Sequence, residues 1–206
     1  HPKSDFDNTV EQAKERFGNA ITIMQYPLKQ GDGFNSIIDL LTMKMYTFPP
    51  AGGKPQKLDI PADETEKANA LHNILVEKAA ENDEKLMELY FEKGSLDEDQ
   101  LKQGLKLGML HHDVYPVFCL SAKKDMGSGR LMGFIDNVAL SATDLFAEKM
   151  VDGSELKCDP KGPAVLFVFK TLIEPHLGKL TFFKVMSGEV TTGMDLINTK
   201  TNHTER

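Results

Sequence analysis

The spacing of apolar residues divides the first part of the chain into one helix and a small β unit. Apolar side chains at Phe6, Val10 and Phe17 recur at helical spacing, which predicts a helix over residues 4–17. The β-branched, alternating stretch 21–26 predicts a strand that ends at Pro27. Residues 34–41 and 44–48 predict two further short strands, which we expect to form an antiparallel ribbon.

Residues 62–107 instead show the pattern of acidic amphipathic helices. Leu71, Ile74 and Leu75 form an apolar stripe on a background rich in Glu and Lys. Polar or glycine-containing pairs at 82–83 and 94–95 interrupt the pattern, so we expect three helices, the last of which ends near Leu107.

The pattern changes again after residue 110. The continuous apolar run 114–120 predicts a buried, parallel strand, followed by a loop at 121–127 and a helix over 129–140. Residues 141–161 are polar and predict a linker. Strand patterns at 164–171 and 179–187 then begin an all-β unit.

Composition narrows the function classes. The 206 residues carry 31 acidic and 24 basic side chains, a net charge of -7, which argues against a free-standing nucleic-acid binder. No stretch approaches the ~20 apolar residues of a membrane span. Two cysteines are too few for a disulfide framework and suggest a reducing cytoplasm. Because the chain begins at His1 and not at Met, we expect it to be a piece cut from a longer protein.

Few residues carry an obvious chemistry. There is no phosphate-loop, dinucleotide-binding or His-Glu-x-x-His motif. His111-His112-Asp113 lacks spaced partner ligands and predicts a solvated loop. Cys119 lies in an apolar run, which favours an inert thiol, and Cys158 lies in the predicted linker. Ser121-Ala122-Lys123 follows the buried strand, where unpaired backbone N–H groups can face a ligand oxygen.

In order and spacing, several segments resemble bacterial elongation factor G, a translational GTPase. They are residues 34–40 (FNSIIDL), 60–62 (IPA), 75–77 (LVE), 80–87 (AENDEKLM), the pair Ser121-Ala122, and 178–185 (GKLTFFKV). The resemblance extends over nearly the whole chain. The matched segments belong to an interior stretch of the family's sequence, so the chain resembles an interior fragment. Leu120 stands where the family usually has Gly before the Ser-Ala pair, which indicates a divergent paralogue.

The resemblance implies an α/β fold with a defined domain order. Residues 1–19 would be a helix of the GTPase core, 20–110 an α+β insert subdomain, and 111–140 the last strand and helix of the P-loop GTPase core. Residues 141–161 would be a linker, and 162–206 the first strands of an all-β barrel, domain II.

The resemblance also implies a nucleotide site. Ser121, Ala122 and Lys123 match the family's second guanine-contacting loop, with the Ala122 N–H facing the guanine carbonyl oxygen. The parent would bind GTP with Mg²⁺ and hydrolyse it to drive translocation of tRNA and mRNA. The chain itself contains no phosphate loop, catalytic residue or metal ligand of that reaction, so we expect it to bind no cofactor and to be inactive alone.

The partners implied by the resemblance are ribosomal, in the cytoplasm, with no membrane or DNA. Glu81, Glu84 and Glu88 would face the ribosomal stalk protein, although a solvated helix face is the simpler interpretation. Lys179 and Lys184 would contact phosphates of small-subunit rRNA. Two alternatives stay open: a non-catalytic ribosome-binding paralogue, and a ribosomal-protection-type resistance factor.

Overall fold

A computed structural model describes residues 2–206; His1, the first residue of the segment 1–19, lies outside it. The chain divides into two compact units, with the boundary between Leu140 and Ser141. The α-helices of the described residues are α1 (Phe6–Phe17), α2 (Thr65–Ala80), α3 (Glu84–Lys93), α4 (Glu98–Leu110) and α5 (Ser128–Asn137), and all of them lie in the first unit. No helix within residues 2–206 is long and apolar enough to cross a lipid bilayer.

The strands divide evenly between the two units over residues 2–206. Those of the first unit are β1 (Ile21–Ile23), β2 (Gln25–Pro27), β3 (Ser36–Asp39), β4 (Lys44–Thr47), β5 (Gln56–Leu58) and β6 (Tyr115–Val117). Those of the second are β7 (Glu148–Lys149), β8 (Glu155–Leu156), β9 (Val165–Glu174), β10 (Gly178–Ser187), β11 (Leu196–Asn198) and β12 (His203–Glu205). The protein is therefore a mixed α and β structure with several small sheets.

A two-stranded parallel sheet joins the beginning and end of the first unit. Strands β1 and β6 pair in parallel, with Ile21 opposite Tyr115 and Ile23 opposite Val117. Helix α1 leads into β1, and α5 follows β6. Parallel strands need a long connection, which here consists of β2 to β5 and the three helices α2 to α4. The predicted parallel pairing is confirmed, but the strand is shorter than the apolar run and is not buried, because Tyr115 is 40% exposed and Pro116 and Val117 are only half-buried.

The strand predicted over 21–26 is divided between two sheets. Met24 marks the change: its N–H donates to Val117 O beside the parallel pair, while its carbonyl accepts from Leu40 N beside the next sheet. Beyond Met24, β2 joins the antiparallel sheet β2-β3-β4-β5. The ribbon predicted from residues 34–48 is confirmed by the pairing of β3 with β4.

Helices α2 to α4 cover the core of the first unit, as the amphipathic pattern predicts. Leu75 and Leu105 are at most 1% exposed and lie in one apolar cluster with Met24, Ile38 and Phe134. Asp83 and Asp97 cap α3 and α4 by accepting hydrogen bonds from N–H groups of the first helical turn. The break at 82–83 thus contains the N-cap of α3, whereas the break at 94–95 contains Gly94, the C-cap of α3.

The second unit is built of β hairpins. Strands β9 and β10 form an antiparallel hairpin of ten residues each, with a register shift between Phe182 and Phe183. Strands β7 with β8 and β11 with β12 form shorter pairs. Residues 141–161, which the sequence suggests to be a linker, contain the β7–β8 hairpin and group with the strands that follow.

Candidate functional site

The segment after β6, residues 121–127, is a tight turn that we call the Ser121 loop. Ser121 N donates to Met126 O over 2.8 Å, and Met126 N donates back to Ser121 O over 3.1 Å, which closes the loop at its base. Residues Ala122–Lys124 form one 3-10 turn. Asp125 and Gly127 have φ of 47° and 86°, so the backbone makes two left-handed steps before α5 begins.

The outer side of the Ser121 loop presents free backbone donors. Ala122 and Lys123 are the first residues of the 3-10 turn, and their N–H groups find no acceptor among residues 2–206. Both residues are exposed. The first N–H groups of any helical turn point outward along its axis and attract electronegative atoms. The loop can therefore donate hydrogen bonds to a carbonyl oxygen of a ligand.

A cavity of about 730 Å³ lies beside this loop. Three segments of the first unit line it: the start of α1 with Ser4, Asp5 and Thr9, the turn at residues 30–34, and the stretch 118–124 that includes Ser121 and Lys123. Side chains tie the first two segments together, because Gln30 Oε1 accepts from Phe6 N and Ser4 Oγ accepts from Gly31 N over 3.2 Å. Ligand cavities of globular proteins have volumes of about 300–1,000 Å³.

Cys119 lies in the wall of this cavity, in an environment that disfavours its thiolate form. Burial raises the pKa of its thiol to about 12, since the charged thiolate would lose its hydration. The reactive form of a cysteine is the thiolate. The raised pKa keeps the thiol neutral near neutral pH, which favours the inert thiol that the sequence predicts.

The four-stranded sheet packs against the Ser121 loop through Met126. The Met126 side chain is 2% exposed and packs in a small apolar cluster with Ile37, Tyr46 and Phe48. These partners belong to β3, to β4 and to the residue that follows β4. The loop is therefore anchored on the segment that the sequence analysis assigns to the insert.

A buried polar network lies next to that cluster and has no counterpart among the sequence-based site residues. Asp39 is 1% exposed and accepts hydrogen bonds from Gln25 Nε2 over 3.0 Å and from Arg130 Nε and Nη2 over 3.1 and 2.8 Å. The Arg130 guanidinium also lies 4.4 Å from the centre of the Tyr46 ring. Because Arg130 belongs to α5, the network links the helix after the Ser121 loop to β2, β3 and β4.

The three acidic residues assigned to a protein partner are close together in sequence and exposed. Glu81 follows the last residue of α2 and pairs with Lys78 over 2.9 Å, whereas Glu84 and Glu88 lie one turn apart on α3. The exposed Phe91 on α3 adds an aromatic ring to this surface. The surface is accessible, acidic and partly apolar.

Lys179 and Lys184 are both exposed on β10. Five positions separate them, and successive side chains of a strand point to opposite faces, so the two lysines project from opposite sides of the hairpin. They do not form one continuous basic patch.

Side chains that could ligate a metal ion do not cluster in the part of the chain that the structure describes. Within residues 2–206, no group of three or more His, Cys, Asp or Glu side chains is placed to hold a metal ion. His111 ends α4 and His112 adopts φ of 65° in the turn that follows, so the two neighbouring imidazoles belong to a helix end.

Comparisons with known proteins address the fold. No family model matches the chain. A crystal structure of a protein from Thermus thermophilus is similar, with a TM-score of 0.73 and 22% sequence identity. The match covers 93% of this chain but 27% of that protein, so this chain spans about a quarter of the length of the structure it resembles. At this identity the likeness shows that the two share a fold over nearly all of these 206 residues.

Proposed function

We propose that this chain is an interior part of an elongation factor G-like translational GTPase, and that the Ser121 loop recognises the guanine base of GTP. The observation that carries the proposal is the pair of unpartnered N–H groups of Ala122 and Lys123 at the carboxyl end of a parallel strand, beside a 730 Å³ cavity. In open α/β sheets ligands bind at the carboxyl ends of the strands.

The chemistry of guanine recognition follows from the donor at Ala122. A fixed N–H group can donate a hydrogen bond to the carbonyl oxygen of guanine, whereas the amino group of adenine would leave that N–H unpaired. Ser121 shapes the turn through its bridge to Met126. Lys123 lines the cavity, and its aliphatic stem can cover the face of a base while the ammonium stays in water.

Hydrolysis would depend on the rest of the parent protein. Phosphoryl transfer needs a phosphate cradle, Mg²⁺ and a group that orients water, and no motif for any of these occurs in the 206 residues. The parent would bind GTP with Mg²⁺ and use a nucleotide-gated domain rearrangement to promote movement of tRNA and mRNA through the ribosome.

The ribosomal contacts belong to the same proposal. The exposed Glu81, Glu84 and Glu88, with Phe91 beside them, offer a surface of the kind that a basic protein such as the stalk protein would meet. Lys179 and Lys184, on opposite faces of β10, would each meet a separate stretch of rRNA backbone, so the contribution of each lysine is expected to be independent.

A proline at position 122 tests the role of the loop directly. In the full-length protein, Ala122→Pro removes the N–H donor while keeping a φ suited to the first position of a helical turn. Ser121 already has the extended conformation (φ -126°, ψ 96°) that a following proline requires. We expect GDP binding to weaken by about 1–3 kcal/mol, or roughly 5- to 150-fold, and ADP binding to change little.

The measurement is a fluorescence titration with GDP and ADP analogues, and Ala122→Ser, which keeps the N–H, is the matched control. Equal GDP affinity for the proline and serine variants would contradict the proposed contact. If the wild-type protein binds ribosomes but no nucleotide, the non-catalytic paralogue replaces the GTPase as the better description.

A further inference from the structure

The turn between β4 and β5 touches the Ser121 loop at Lys124. Gly52 lies in this turn with φ of 80°, and its N–H donates to Pro49 O over 2.9 Å. Gly52 packs so closely on the loop that a Cβ placed there would overlap the Lys124 carbonyl oxygen and lie 3.1 Å from its carbon. Only glycine allows this approach of two backbones.

The contact with Gly52 falls on Lys124, the last residue of the 3-10 turn. Lys124 ends the 3-10 turn that begins at Ala122, and its N–H donates to Ser121 O over 3.1 Å. A shift of the Lys124 peptide therefore moves the whole turn, including the free N–H groups of Ala122 and Lys123. Directional hydrogen bonds weaken steeply when the donor is displaced or tilted.

We propose that Gly52 is a positioning residue for the Ser121 loop, through which the insert segment sets the affinity and selectivity for guanine. The inference rests on the proposed function and adds a route of regulation to it. Gly52 packs against the Lys124 end of the turn, Met126 holds its base in the apolar cluster, and Arg130 holds the following helix on Asp39. Any partner that moves the β4–β5 turn would thereby change nucleotide binding.

Gly53 provides a matched control beside Gly52. It also has a positive φ, of 96° against 80° at Gly52, so an alanine is strained by a left-handed backbone at either position. A Cβ at Gly53 would meet nothing within 4 Å, and the Gly53 N–H, which lies 3.4 Å from Asp125 O, is retained in the variant. The difference in nucleotide binding between the two alanine variants therefore isolates the steric effect of the Gly52 Cβ on Lys124.

The experiment compares Gly52→Ala and Gly53→Ala in the full-length protein by titration with fluorescent GDP and ADP analogues, alongside thermal unfolding. We expect Gly52→Ala to weaken GDP binding about tenfold or more relative to Gly53→Ala, and to lower the GDP-to-ADP preference by the same factor, because only guanine uses the displaced donor. A purely structural role would change thermal unfolding but not this preference.

A second variant keeps the inference testable if Gly52→Ala fails to fold. Met126→Ala loosens the base of the loop without adding an atom, and we expect the same loss of guanine preference. If the wild-type protein prefers GDP and the variants at 52 and 126 match Gly53→Ala, the positioning role is overturned while the proposed function stands. If the wild-type protein shows no guanine preference, the proposed function itself is overturned.

Discussion

Burial of Cys119 in the wall of the 730 Å³ cavity gives a test of the local environment at the scale of one residue. Its thiol pKa is raised from an ordinary 9.0 to about 12, so at pH 8 we expect a much smaller thiolate fraction in the folded chain than in the unfolded chain. We predict that iodoacetamide alkylates Cys119 at least ~100-fold more slowly in the native chain than in urea, as measured by mass spectrometry.

The sign of the pH dependence adds a check on that result. Since the folded pKa is raised, the folded state favours the neutral thiol, and its advantage is present below pH 9 and lost as pH rises from 9 towards 12. The labelling difference should therefore be largest near neutral pH. A Cys119→Ser chain identifies the signal of Cys158, and a native Cys119 that reacts as fast as the unfolded one would show that the wall is open to solvent.

Single residues also differ in whether their role could be predicted from the sequence. Ser121, Ala122 and Lys123 could be singled out because they follow an apolar strand and match a family motif. Asp39 could not, because in the sequence it is one polar residue at the end of a strand pattern. Its partners Gln25 and Arg130 are 14 and 91 positions away, and only the folded chain brings them within hydrogen-bonding distance.

At the scale of elements, the packing of α2 on α4 depends on one glycine. A Cβ at Gly104 would lie 2.8 Å from the Ala79 carbonyl carbon and 3.0 Å from its Cβ. Alanine normally stabilises a helix interior by about 1 kcal/mol relative to glycine. We predict that Gly104→Ala instead destabilises the chain by about 1–3 kcal/mol in urea unfolding, because the two helices must separate.

Gly133 in α5 is the control for that prediction. It is also a helix-interior glycine, but a Cβ there would meet nothing within 4 Å. We expect Gly133→Ala to stabilise the chain by about 0.4–1 kcal/mol. If both variants shift the unfolding midpoint in the same direction, the close approach of α2 and α4 does not limit stability.

The sequence patterns predicted the positions of helices and strands better than they predicted contacts between residues. The helices and strands that they misplaced have a physical cause. The polar breaks at 82–83 and 94–95 predicted the ends of α2 and α3 because capping is a local interaction. The stretch 21–26 predicted one strand, since periodicity reports which side of a strand is buried and not which neighbour it pairs with. The change of partner at Met24 depends on β6 and β3, which are distant in sequence. The contact between Gly52 and Lys124 could not be predicted for the same reason.

At the scale of the whole molecule, the two units differ in how much apolar surface they bury. Among residues 2–206, the fully buried apolar side chains all lie between Val10 and Val138. In the second unit, large apolar side chains of the β9–β10 hairpin remain exposed, among them Phe167 at 59%, Phe169 at 60% and Ile173 at 84%. An isolated two-stranded hairpin is marginally stable in water.

We therefore predict that a chain ending at Leu140 unfolds in urea with the same midpoint and cooperativity as the full chain, within error, because truncation there removes none of these buried apolar side chains. The exposed hairpin face should make the full chain bind more of a hydrophobic dye than the truncated chain does. Hydrogen exchange measures the two units separately: slow amides are expected in α2, α4 and β3, and fast ones in β9 and β10. Slow exchange throughout β9 and β10 would contradict the marginal stability expected of the hairpin, and loss of cooperative unfolding on truncation would show that the second unit contributes to the stability of the first.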